Sequence, residues 1–96
     1  MSTLSEAKVA AHLERLPGWS AANGEIRRTF QMPSFPAALL FVAAVGQVAE
    51  TADHHPDIDV RYRKVTLILS THSAGGLTEK DFALASKIET LLAPGS

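Results

Sequence analysis

The 96-residue chain contains no cysteine. That removes disulfides, thiolate zinc sites and a cysteine nucleophile together, and leaves the redox compartment open. An excess of one charge is also missing: 9 Lys and Arg stand against 10 Asp and Glu, the formal charge is −1, and no basic run occurs. Direct contact with nucleic acid or an anionic membrane surface would call for such a run, so neither is expected. The longest apolar stretch, Ala37 to Val45, falls well short of the roughly 20 residues that span a bilayer, so a buried soluble helix is expected there. Met1 to Lys8 is polar and lacks the apolar centre of a signal peptide, which makes the cytoplasm the expected compartment. A chain of this length is expected to form one domain, residues 1–96, with a modest core.

Four histidines are present, and three of them, His54, His55 and His72, fall between Glu50 and Asp81. Imidazole is the side chain that can both give and take a proton near neutrality, so this clustering points to proton transfer. His12 stands apart, as an expected exposed helix residue.

The coarse pattern places these residues on elements. Ser5 can cap a helix to about Leu16, with Val9, Leu13 and Leu16 at helical spacing before Pro17-Gly18 stops it. Trp19 to Ala21 and Ile26 to Gln31 flank Asn23-Gly24, a pair that tolerates positive φ and predicts a hairpin. Ser34 opens a second helix, with Pro36 in its first turn, that is apolar nearly all round and should run out near His54-His55 ahead of Pro56. A sheet can cover only one side of such a helix, so a homo-oligomer is expected. Ile58, Val60 and Tyr62 alternate in one phase and Val65, Leu67 and Leu69 in the other, so two strands meet at a turn around Arg63-Lys64. Thr78 caps a last helix with Phe82, Ala85, Ile88 and Leu92 on one stripe. The order α-β-β-α-β-β-α with short turns implies an α+β fold: a four-stranded antiparallel sheet with helices packed on one face.

Glu50 and His54 are four residues apart, so on a persisting helix the carboxylate would hold the imidazole in one tautomer. With Val65, Leu67 and Leu69 facing the core, parity sends Thr66, Ile68, Ser70 and His72 to the open face. Thr71 and Ser73 add hydroxyls, and Ala74-Gly75-Gly76 brings bare backbone near. Asp81, third after the Thr78 cap, is explained by a capping-box-like pair. His54, His72 and Glu50 also have metal-donor types, but at a spacing that matches no ligand motif.

These residues resemble the pterin-4a-carbinolamine dehydratase family. The likeness runs in order through Glu50-Thr51-Ala52-Asp53-His54-His55-Pro56, Tyr62-Arg63-Lys64-Val65, Ser70-Thr71-His72 and Gly75-Gly76-Leu77-Thr78-Glu79-Lys80-Asp81. It covers the second half closely, while the first half agrees in element order and in Trp19 after Pro17-Gly18. The resemblance implies His54, His55 and His72 as the catalytic trio, Glu50 and Asp81 as supporting acids, and a pterin pocket lined by Pro56 and by Thr71, Ser73 and Ala74 around His72. It implies loss of water from 4a-hydroxytetrahydrobiopterin, or a related pterin, to the quinonoid dihydropterin, with no metal and no cofactor. It further implies tetrahydrobiopterin recycling beside an aromatic amino acid hydroxylase, in a homodimer or homotetramer built through the second helix and a sheet edge. Ile58 and Asp59 stand where the family often has an aromatic pair, which bears on the pocket edge and on side-chain preference, and Arg63 stands where it often has asparagine, so another turn geometry is expected there. Two other activities compete: an interaction module acting as a transcriptional cofactor, as some relatives do, and metal-dependent hydrolysis.

Overall fold

Ser5 starts the first helix as the pattern predicts, its hydroxyl accepting the Lys8 N–H at 3.3 Å, and α1 runs Glu6–Glu14. A computed structural model describes residues 2–92 of the chain. β1 (Ser20–Ala22) and β2 (Glu25–Gln31) are joined by Asn23 and Gly24, both at positive φ (54° and 76°), as a two-residue hairpin of this twist requires. Trp19 precedes the strand and is instead a core residue. α2 (Phe35–Ala52) is capped by Ser34, whose hydroxyl accepts the Ala37 N–H at 3.2 Å. β3 (Asp57–Arg61) and β4 (Lys64–Leu69) follow, then a 3₁₀ turn (His72–Ala74) and α3 (Glu79–Thr90).

The strands lie in the order β1-β2-β4-β3, each pair antiparallel. The four-stranded antiparallel sheet and the α-β-β-α-β-β-α order are those read from the sequence. The register brings Ile26, Arg28 and Phe30 opposite Leu69, Leu67 and Val65, one pleat facing α2 and α3. Ala38, Phe41, Val45 and Ala49 of α2, and Leu84, Ala85 and Ile88 of α3, are buried there. Across the sheet, Thr29 and Thr66 share a hydroxyl–hydroxyl hydrogen bond of 2.8 Å on the open face.

Three expectations are corrected. The β3–β4 turn is Tyr62-Arg63 rather than Arg63-Lys64, because Arg61 pairs with Lys64. Its positive φ (55°) falls on Tyr62, which spares Arg63 and answers the missing asparagine. Second, α2 is not a buried helix. It has 18 residues and a mean hydropathy of 1.5, a length and composition that a membrane-crossing helix can share, yet a single stripe of it packs inward. Phe35, Leu39 and Leu40 stand on the outside, Leu40 at 72% exposure. Third, α2 stops at Ala52, before the histidines.

An ionic latch ties the C-terminal helix to the opening turn. Arg28 Nη1 lies 2.7 Å from both Glu89 carboxylate oxygens, and the Trp19 indole N–H donates to Glu89 Oε2 at 2.9 Å. Arg28 also stacks over the Phe30 ring, 4.6 Å from its centroid. Gly18 beside it has φ 95°, a left-handed conformation that favours glycine, and a Cβ there would also crowd the Arg28 side chain.

Candidate active site

The end of α2 decides how the histidines are presented. Asp53 adopts a left-handed conformation (φ 52°, ψ 42°), its N–H donating to Glu50 O and that of His54 to Ala49 O, the double bond of a Schellman motif. The chain leaves the helix axis there, two residues before Pro56 would demand it. Glu50 and His54 therefore do not share a helix face, and the predicted pair between them is replaced. Glu50 Oε1 instead lies 2.9 Å from His55 Nε2, in an exposed contact, and His54 Nε2 reaches across to Asp81 Oδ1 at 2.6 Å.

Asp81 is fully buried because it lies on the inward stripe of α3 with Leu84, Ala85 and Ile88. Its Oδ2 accepts the Thr78 backbone N–H at 2.9 Å, completing a capping box, and the Thr71 hydroxyl at 2.9 Å. With the Thr71 hydrogen on Asp81, the 2.8 Å contact between Thr71 Oγ1 and Thr78 Oγ1 needs Thr78 as donor. The polar chain thus has a direction, Thr78 to Thr71 to Asp81. An ionised Asp81 can only accept, so His54 donates from Nε2 and leaves Nδ1 as the nitrogen able to exchange a proton. His54 is 12% exposed at its side chain, which sets it at the floor of the site.

His72 arrives from the other side. Thr71 N donates to Gly76 O at 2.9 Å, closing a tight loop over residues 71–76, with Gly75 left-handed (φ 77°). The loop turns His72 outward after β4 has ended at Leu69, so the histidine sits on a 3₁₀ turn rather than on the strand, exposed as parity suggests.

His54, His55, His72, Thr71 and Ser73 line one cleft of about 280 Å³. Four predicted site residues stand apart from its wall: Glu50 contacts His55 and Asp81 contacts His54, while Pro56 and Ala74 are half-buried. Three lining residues escaped the sequence reading, namely Asp53, Ser70 and Lys80. Ser70 had a signal in the parity of β4, and its hydroxyl donates to Gly24 O at 2.8 Å. Asp53 and Lys80 each adjoin a site residue. Ile58 and Asp59 are not on the wall. Among the described residues, no three His, Asp or Glu side chains converge as a metal site would need. A larger hollow of about 460 Å³ lies between Leu4, Val9, Leu13, Ala21 and Leu77, where Glu6 is the one titratable side chain. It offers no pair of proton-transfer groups.

The family model described as pterin 4 alpha carbinolamine dehydratase matches residues 2–91. The chain belongs to that family. A Chloroflexus aurantiacus protein, provisionally named a pterin-4-alpha-carbinolamine dehydratase, is 56% identical over 92 residues, covering 96% of this chain and 99% of its own. A Nocardia farcinica protein of the same provisional name is 53% identical over 88 residues, covering 92% of this chain and 93% of its own. The crystal structure of a transcriptional coactivator/pterin dehydratase from Brucella melitensis superposes with a TM-score of 0.91 at 33% identity, over 96% of this chain and all of that one. A pterin dehydratase-like protein described as a RuBisCO assembly factor shares the fold alone, with a TM-score of 0.63 at 19% identity over 76% of this chain and 84% of its own. Both halves of the chain are therefore matched by the carbinolamine dehydratase family, including the first half, where the resemblance was looser.

Proposed function

We propose that this chain removes water from a 4a-hydroxytetrahydropterin, giving the quinonoid dihydropterin, with His54, His55 and His72 as the working trio. The observation that carries this reading is the 2.6 Å hydrogen bond from a floor imidazole, His54, to a fully buried carboxylate, Asp81, in a cleft shared with two further histidines. The reaction breaks the bond between C4a and its hydroxyl oxygen. One proton goes to that oxygen, which leaves as water, and one comes off a ring nitrogen, so no electrons are exchanged. His54 suits the base role, because the imidazolium it becomes is held by Asp81 from Nε2 while Nδ1 takes the proton. His72, exposed on its turn, suits the acid at the departing hydroxyl, and His55 suits positioning of the ring beside Ser73. Each proton transfer of this kind is worth roughly 10²- to 10⁴-fold.

The same proposal includes a homodimer or homotetramer through the outer face of α2 and a sheet edge, in tetrahydrobiopterin recycling with an aromatic amino acid hydroxylase in the cytoplasm. Phe35, Leu39 and Leu40 supply the exposed apolar surface. That surface also favours a second reading, an interaction module for a transcription regulator, which the dual description of the Brucella protein suits.

The test follows decay of enzymatically generated 4a-hydroxytetrahydropterin by ultraviolet absorbance, with chelator present, for wild type, His54→Ala and His72→Ala. Acceleration by the wild type that falls at least 100-fold in each variant is expected. Decay no faster than the spontaneous rate overturns the dehydratase reading and leaves the interaction module.

A further inference from the structure

Lys80 is the one side chain on the cleft wall that carries a fixed positive charge. It follows the Thr78 cap on the first turn of α3, where three successive residues diverge. Glu79 turns to α1 and meets His12 Nε2 at 2.9 Å, Asp81 turns inward to His54, and Lys80 faces the cleft. Among the described residues, no carboxylate lies within ion-pair distance of the Lys80 ammonium. Of the acids about the histidines, Asp81 is engaged by His54 and Glu50 by His55, while Asp53, also on the wall, makes no ion pair with Lys80.

The cleft has a depth order. His54 lies at the floor, while His55, His72 and Lys80 are exposed at the rim. At about 280 Å³ it lies just below the usual range of ligand sites, which starts near 300 Å³. A bicyclic ring seated with its reacting carbon near His54 fits within this cleft, and a substituent directed away from the floor reaches the rim. There it meets an ammonium without a partner.

We propose that Lys80 makes this site select pterins whose ring substituent carries an anionic oxygen, a carboxylate or a phosphate ester, over those with a neutral substituent. The inference rests on the pterin reading of the cleft. A neutral hydroxyl chain leaves the lysine in water, whereas an anion gains a charge-assisted hydrogen bond. Since the ammonium is exposed, the gain is that of a solvent-screened pair, about fivefold in affinity at low salt, and it shrinks as ionic strength rises.

The test titrates the full chain with three stable fluorescent pterins: neutral 6-hydroxymethylpterin, its phosphate monoester, and 6-carboxypterin. Wild type is expected to bind at least one anionic pterin about fivefold more tightly than the neutral one at low salt, the two anionic arms showing which oxygen is preferred. Lys80→Gln should bring that ratio to about one and Lys80→Arg should keep it. Equal affinities in the wild type, or an unchanged ratio in Lys80→Gln, overturn the proposal. Anion preference without any dehydration overturns the reaction and leaves the Lys80 assignment standing; dehydration without preference does the reverse. Binding of none of the three overturns the Lys80 assignment, and the dehydration assay alone decides the reaction.

Discussion

Replacing Thr71 by valine keeps the volume of a buried side chain and deletes one hydroxyl, so it isolates the polar network behind His54. Thr71 is 3% exposed, and its hydroxyl both donates to Asp81 Oδ2 at 2.9 Å and accepts from Thr78 at 2.8 Å. In Thr71→Val the Asp81 carboxylate, fully buried, retains the Thr78 N–H and His54 as donors and loses the third. A hydrogen bond to a charged group is worth about 1.5–3 kcal/mol, and the Thr78 hydroxyl is left without its acceptor as well. A loss of about 2–3 kcal/mol is therefore expected, read as a fall in Tm of roughly 8–24 °C for a chain of this size. Thr71→Ser, which keeps the hydroxyl and removes a methyl group, should lose about 1 kcal/mol. Circular dichroism melts of the three proteins give the comparison. In activity, the valine variant should lower kcat more than it raises KM, because the oxygen that holds His54 belongs to the carboxylate that has been loosened. A valine variant as stable as wild type, or a serine variant as unstable as the valine one, would refute the directed chain from Thr78 through Thr71 to Asp81.

Three further outcomes are expected. Glu89→Gln should cost about 1–2 kcal/mol in urea unfolding and red-shift the Trp19 fluorescence, since one carboxylate holds both the indole N–H and Arg28; an unshifted spectrum would mean that the latch is idle. Asp53→Gly should be neutral or stabilising by up to about 1 kcal/mol, while Asp53→Val should be destabilising and should weaken activity, because a β-branched residue resists the left-handed conformation that aims His54 at Asp81. The rate of dehydration should fall on both the acid and the alkaline side of an optimum, as one histidine acts protonated and another neutral; a flat profile across the histidine range would refute the paired roles.

The fold was legible because its punctuation is local. Ser5, Ser34 and Thr78 each cap a helix, Asn23-Gly24 makes its hairpin, and the alternation of Val65, Leu67 and Leu69 puts β4 in the core. The partnering of the histidines was not local. A glycine after Ala52 would have signalled the end of α2, but Asp53 takes the left-handed conformation without that signal, and a persisting helix then pairs Glu50 with the wrong histidine. Asp81 shows why the correct partner was hidden. Its spacing from Thr78 is fully accounted for by a capping box, and the box is there: Oδ2 takes the Thr78 N–H. A carboxylate has two oxygens, however, and a cap needs only one of them. The second, Oδ1, is left facing His54, so the N3 residue of α3 also orients the imidazole at the floor of the cleft. Local pattern reads the first use and cannot reach the second, which depends on α2 and α3 being packed side by side. Removing Asp81's half of the capping box and removing the orienting carboxylate are for this reason one and the same substitution. Thr71, which touches Asp81 from β4's side without capping anything, is the position that separates them.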